Sequence, residues 1–390
     1  MREVVVRAAK LVNASIRLLI QSKARHLARR LPKQAPRQGR VGVRPTIGII
    51  ANPVSARDIR RVVANAASLQ IADRANIVLR VLAALAACGV ADVLVMPESG
   101  GIRGHVVRGL ERSHNQGEQR FPRVVFLDMP VTGSVEDTRR AARLMRAAGV
   151  AAMVVLGGDG THRAVVAECG PIPLAAISTG TNNAFPESRE PTITGLAAGL
   201  AVMGRVPREV ALTANKRLDV VVDGAKPDIA LVDVAFVTDR YIGARALWRT
   251  ETFRELFVSF ADPQVIGMSA IAGLIEPVGR TEPGGLMVRL APAHRTKLTL
   301  LAPIAPGLID AVGVEDWQRM PGGIAFVPRL KAGSIALDGE REIFISEGQQ
   351  VSVTLVDEAF YTIDVARVMR FAATQGLLQT TERQIIAALT

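Results

Sequence analysis

The string Val154-Val155-Leu156-Gly157-Gly158-Asp159-Gly160-Thr161 combines three glycines and an acid directly after an apolar run. The run reads as a buried strand, and a helix is expected to begin near Thr161. Glycines let the backbone turn tightly and let phosphate oxygens approach main-chain N–H groups. The N-terminus of the following helix adds partial positive charge and donors. Asp159 projects from the same loop. A carboxylate beside a cradled phosphate can take a proton from an attacking hydroxyl, or ligate Mg2+. The plainer alternative is a glycine-rich turn capped by an aspartate.

Three further strings follow the same logic. Asn52-Pro53-Val54-Ser55 ends an apolar run in a turn, and Arg57, Arg60 and Arg61 come just after it. These arginines suit phosphate contacts or a solvated helix face. Ile177-Ser178-Thr179-Gly180-Thr181-Asn182-Asn183 places two amides beside a glycine, which suits hydrogen bonding to ribose or adenine. Leu337-Asp338-Gly339-Glu340 carries two acids around a glycine. Taken alone, Asn52-Pro53 is a turn and Asp338-Gly339 a hairpin signal; their order along the chain adds weight to both. Other schemes find little material. The five histidines, His162 among them, show no metal-ligand spacing, and no lysine-bearing phosphate loop or protein-kinase string occurs. No metal site built from the chain's own side chains is expected.

These strings need elements to hold them. Thr46–Ile50, Ala91–Met96, Val124–Leu127, Met153–Leu156 and Leu174–Ile177 are short apolar runs closed by Gly, Pro or a polar turn. Amphipathic stretches such as Ile77–Ala87 and Val135–Ala148 lie between them. Continuous apolar strands alternating with helices imply parallel βαβ units, whose ligands bind beyond the carboxyl ends of the strands. Residues 45–209 are therefore expected to form an open, Rossmann-like α/β nucleotide-binding domain. From Leu218 onward, Leu218–Val222, Ile229–Val237, Leu286–Leu290, Leu298–Leu301, Gly333–Leu337 and Val351–Leu355 are strand-like with close-set turns. They predict an antiparallel β domain over 210–360, which the family resemblance described below implies to be the substrate side, with a C-terminal helical segment over 361–390.

Composition narrows the classes. With 390 residues, 49% hydrophobic and only 4% aromatic, the chain can bury a large core of helices on a sheet. Its net charge of +12 is concentrated at the start, where residues 1–44 hold twelve Lys and Arg against the single acid Glu3. The remainder is nearly neutral, which argues against nucleic-acid binding by the globular body. The basic leader places Val5, Val12, Ile16 and Leu19 at helical spacing beside Arg7, Lys10 and Arg17. Such a helix suits contact with an anionic membrane surface or a nucleic acid. It also has the acid-poor look of a transit peptide, and it fits equally a peripheral extension. Two cysteines, Cys88 and Cys169, give no disulfide framework, so a cytoplasmic setting is expected. A homo-oligomer is expected as well.

The four strings together resemble the NAD kinase and diacylglycerol kinase superfamily. Gly157–Thr161 is similar to its shared Gly-Gly-Asp-Gly-Thr signature, and Asn52-Pro53-Val54-Ser55 resembles the lipid-kinase nucleotide loop, with Ala56 where glycine is usual. The Gly180–Asn183 stretch is similar to the second nucleotide loop, and Asp338-Gly339-Glu340 to a late lipid-kinase motif. The strand Ala230-Leu231-Val232-Asp233-Val234 resembles the dinucleotide-holding strand of NAD kinases, with Val232 in place of Asn. The 51–61 segment and the Gly243-Ala244-Arg245-Ala246-Leu247-Trp248 string look most like the acetoin catabolism protein X group, classed with the ATP-NAD kinases. The resemblance implies an ATP-dependent kinase using Mg2+, with Asp159 as catalytic residue. It implies nucleotide contacts from Asn52, Ser55, Gly157, Gly158, Gly160, Thr161, Gly180, Thr181, Asn182 and Asn183, and acceptor contacts from Asp233 and Glu340. NAD, converted to NADP at its ribose 2′-hydroxyl, is the favoured small-molecule substrate. A lipid or polyol kinase, or a non-catalytic nucleotide-binding regulator linked to acetoin catabolism, stays open.

Overall fold

The computed structural model describes residues 44–53, 69–117, 121–180, 183–239 and 250–379, the side chains of residues 341 and 342 apart. Ser55, Thr181, Asn182, the arginines at 57, 60 and 61, the 243–248 string and all of the leader except Arg44 lie outside these residues. The first half alternates as its texture requires: β1 (Thr46–Ala51), α1 (Ile71–Ala87), β2 (Asp92–Val95), α2 (Ile102–Gln116), β3 (Arg123–Phe126), α3 (Val135–Ala147), β4 (Ala152–Gly157), α4 (Asp159–Cys169), β5 (Leu174–Ser178) and α5 (Pro191–Val202). A short α6 (Arg208–Ala211) leads into β6 (Leu212–Val222), β7 (Asp228–Ala230), β8 (Asp233–Val237) and β9 (Phe253–Val258). Then come α7 (Met268–Gly273), β10 (Gly285–Ala291), β11 (Leu298–Ala305), β12 (Leu308–Met320) and β13 (Ala325–Phe326). The described chain closes with β14 (Gly333–Leu337), β15 (Glu340–Ile345), β16 (Val351–Ile363) and α8 (Val365–Thr374).

Strands β3-β2-β1-β4-β5 form a parallel sheet in that order. Every residue of the central β4 is buried, as expected for a strand with no charged side chain and helices on both faces. In β1, Ile47, Ile49 and Ala51 join one core with Val78, Val81 and Leu82 of α1 and Ala197 of α5. Ile50 points the other way, to Ala141 and Met145 of α3. Burying one such branched side chain contributes about 1.5–3 kcal/mol. A Cβ on Gly48 would run into Met145 Sδ, so glycine there is what lets α3 press onto the sheet.

The second sheet, β11-β12-β10-β9-β8-β14-β15, is antiparallel. One of its faces carries Phe236, Phe257, Met287 and Ile335 against Leu218 and Val220 of β6 and Val353 and Leu355 of β16. The other face is covered by Ile271 of α7. The chain is thus an α/β nucleotide-binding-type domain followed by an antiparallel β domain.

Two expectations need correction. The boundary placed between 360 and 361 falls inside β16, which runs on to Ile363 and pairs with β5 at Thr362↔Leu174. Strands β16, β6 and β7 therefore extend the first sheet rather than forming a separate one. The single strand expected over Ile229–Val237 is broken into β7 and β8, because the N–H groups of Leu231 and Val232 donate to Asp338 Oδ1 at 2.9 and 2.8 Å instead of to a strand.

Candidate nucleotide and phosphoryl-transfer site

Strands β1 and β4 are neighbours, while the strands that follow each of them lie on opposite sides. This is the switch point where open α/β sheets bind ligands. Asn52 leaves the end of β1 with its N–H on Leu156 O at 3.2 Å, and its side-chain Nδ2 donates to Thr161 Oγ1 at 3.0 Å. Two of the four strings are thereby stitched together. A third is added by Arg74, buried at 1% exposure, which donates to Asn52 O at 2.9 Å and to Thr179 Oγ1 at 3.2 Å. Next to Asn52 lies a cavity of about 400 Å3, walled by Pro53, Glu98, Gly133, Asp137 and Thr138 among others. Asp137 is ionised there: burial opposes its charge, but bonds from Thr132 and Gly133 hold its carboxyl below the usual range.

The glycines of the central loop differ in what they make room for. A side chain on Gly157 would collide with Thr161. On Gly158 it would lie 2.8 Å from Asn183 Oδ1, and on Gly180 2.7 Å from the same amide group. The Asn183 side chain fills the gap between the two loops and donates to Ser178 Oγ at 2.7 Å. Gly160 is different. Nothing among the described residues lies within 4 Å of where its Cβ would be, and it sits in the first turn of α4 with an ordinary backbone. That open space is where an added group can come close to the main chain.

Asp159 is the first residue of α4. Its Oδ2 accepts the N–H of Ala184 at 3.0 Å and its Oδ1 that of Phe185 at 2.9 Å. Two donors, one on each oxygen, fix the carboxylate plane. His162, one turn further, is fully buried; its Nδ1 lies 2.9 Å from Gly158 O and its ring 5.6 Å from that of Phe185. Burial pushes its pKa down to about 4, so it stays neutral and packs rather than serving as a base.

Asp233 and Glu340 lie on the second sheet, at the ends of β8 and β15 that flank the Asp338-Gly339 turn. Asp338 and Gly339 both have positive φ, 51° and 77°, as a tight two-residue hairpin turn requires. Asp233 is 5% exposed and its Oδ1 accepts the Gly339 N–H at 3.2 Å; Glu340 is half-buried. Arg163, four residues after Asp159 on α4, donates to Leu337 O at 3.0 Å and lies 3.6 Å from Asp338 Oδ2. Burial raises the Asp338 pKa to about 7, with Arg163 opposing and Asp159 adding to the rise.

Sequence reasoning did not single out Arg74, Arg163 or Arg280, the last of which donates to the carbonyls of Ala184 and Phe185. Arg74 left a signal, since it falls on the buried stripe of α1 with Val78, Val81 and Leu85, where a charge needs a partner. Arg163 left a fainter one, its spacing of four from Asp159. Arg280 left none.

A family model for the ATP-NAD kinase N-terminal domain matches residues 47–205, and one for the acetoin catabolism protein X C-terminal domain matches 216–358. Over 342 residues the chain is 56% identical to acetoin catabolism protein X of Cupriavidus necator, covering 87% of this chain and 95% of that protein. Two solved structures are more distant likenesses. Yeast NADH kinase, solved with NADH, has 14% identity and a TM-score of 0.43, covering 86% of this chain and 89% of its own. A diacylglycerol kinase-like protein from Bacillus anthracis has 13% identity and a TM-score of 0.41, covering 82% and 96%. The chain, with its ATP-NAD kinase type of N-terminal domain, belongs to the acetoin catabolism protein X family.

Proposed function

We propose that the chain is an ATP-dependent kinase of a small-molecule hydroxyl, with the 2′-hydroxyl of NAD as favoured acceptor and NADP as product. The observation that carries this reading is the Asp159 carboxylate, held by two N–H groups beside the open space at Gly160. A cavity of about 400 Å3 next to Asn52 is of a size that suits part of a nucleotide. In this reading the phosphates lie along Gly157, Gly158 and Gly160, while Asn52 and Asn183 hold the loops that position them. The acceptor hydroxyl gives its proton to Asp159 as its oxygen bonds to the γ-phosphorus, and the bond to the β-phosphate oxygen breaks to leave ADP. Mg2+ bound with ATP would supply charge neutralisation on the phosphates, and Asp159 is the carboxylate at this loop that could meet it. Little covalent chemistry falls to the protein, so positioning does most of the work.

A second reading, a lipid or polyol acceptor, is favoured by the acceptor-side strand. Val232 is buried and Asp233 is engaged with the Gly339 N–H. The purified full chain, incubated with γ-labelled ATP, Mg2+ and in turn NAD, diacylglycerol and cell extract, tests both. Label on NAD supports the first reading, and label on a lipid or polyol supports the second. ATP binding with no transfer to any acceptor overturns the enzyme and leaves a nucleotide-binding regulator of acetoin catabolism.

A further inference from the structure

The peptide group between Ala184 and Phe185 is bonded at both ends. Its N–H, on Phe185, donates to Asp159 Oδ1 at 2.9 Å, and its oxygen, on Ala184, accepts from Arg280 Nη2. The next carbonyl, on Phe185, accepts from Arg280 Nη1 at 2.8 Å. A cation on an amide oxygen polarises the group and strengthens donation by its N–H. The Phe185 ring is itself wedged between those of His162 and Phe360, with centroids 5.6 and 5.5 Å away.

Arg280 arrives from the β domain and is held there firmly. Its guanidinium lies 4.4 Å over the Phe260 ring. Its loop is gripped from beneath by buried Lys216, whose Nζ donates to the carbonyls of Gly279, Glu282 and Gly284 at 3.0, 2.6 and 2.7 Å. The Gly279 N–H closes the loop on Glu282 Oε2 at 3.0 Å. Planar, bidentate donation to two adjacent carbonyls is a task for arginine that lysine performs less well.

We propose that Arg280 is a positioning residue for Asp159: it fixes the Ala184–Phe185 peptide group that aims the carboxylate, so the acid is correctly placed only when the 279–284 loop of the β domain is docked. The inference rests on the reading of Asp159 as proton acceptor, and it couples the two domains at the reacting centre.

Hydrogen exchange of the full chain, followed on peptides covering residues 183–187, tests it in Arg280→Gln, Arg280→Lys, Asp159→Asn and the Arg280→Gln/Asp159→Asn double variant. Arg280→Gln should speed exchange of the Ala184 and Phe185 amides about tenfold or more, with β6 and β16 unchanged. Arg280→Lys should restore part of the protection. The double variant should exchange no faster than the faster single one, since both act on one peptide group. In turnover assays Arg280→Gln should lower kcat at least tenfold while KM for ATP stays within about threefold. Unchanged exchange at 184–185, acceleration spread evenly over the chain, or a normal kcat would each overturn the proposal. Should the wild type transfer no phosphate at all, the kinase reading fails, while the exchange comparison still decides the Arg280 contact.

Discussion

Replacing Gly160 by alanine should move stability and nucleotide affinity in opposite directions. Gly160 lies in the first turn of α4 without positive φ, and an added Cβ would meet nothing within 4 Å among the described residues. In a helix, alanine is better than glycine by about 0.5–1 kcal/mol, so Gly160→Ala should stabilise the folded chain by that amount in urea denaturation. The same methyl would stand in the space through which a phosphate approaches the backbone. Losing one charge-assisted N–H bond there costs about 1.5–3 kcal/mol, or roughly 10–150-fold in ATP affinity by calorimetry. Gly158→Ala is the control, since its Cβ would lie 2.8 Å from Asn183 Oδ1 and should cost both stability and affinity. A Gly160→Ala protein that binds ATP as tightly as wild type would refute the phosphate cradle, whatever its stability.

Asp159→Asn keeps the loop's size but removes its basicity, and should lower turnover by roughly 10²–10⁴-fold with a smaller loss of ATP binding; near-normal rates would remove Asp159 from the chemistry. Asp233→Ala should weaken NAD binding by roughly 10–150-fold while ATP binding changes little, as calorimetric titration of both proteins would read. Equal NAD binding would remove Asp233 from the acceptor site. Asp338 has a folded-state pKa raised to about 7, so its contribution to stability is complete below its unfolded pKa near 3.8 and is lost as pH rises through 7. Stability measured from pH 4 to 8 should therefore fall less steeply in Asp338→Asn than in wild type, and parallel curves would show that Asp338 does not titrate in this range.

The α/β half was legible because its signals are local. Buried parallel strands such as Met153–Leu156 announce themselves as unbroken apolar runs, and the glycine loop after β4 is a short-range pattern. Helix α5 (Pro191–Val202) was not anticipated, because Thr-Gly-Leu-Ala-Ala-Gly-Leu has no polar face to give a period. The split between β7 and β8 was invisible for another reason: the carboxylate that takes the amides of Leu231 and Val232 lies more than a hundred residues away, on Asp338. Arg280 is the extreme case. Its hydrogen bonds go to main-chain carbonyls, and any residue can supply a carbonyl, so no sequence pattern marks the pair.

β16 bears on how the chain can be made. Pairing with β6 runs from Val351↔Val222 to Ile363↔Leu212, and pairing with β5 occurs at Thr362↔Leu174. A ribosome therefore releases all of β1 to β5, and all the residues of the glycine loop, long before the strand that closes their sheet exists. Until then β5 has an open edge, the kind of surface that invites wrong pairing. The nucleotide loops should accordingly gain native protease resistance only after residue 363 has left the exit tunnel. A ribosome-bound chain stopped before Val351 that already resists cleavage between β4 and β5 would show instead that the first domain completes itself alone.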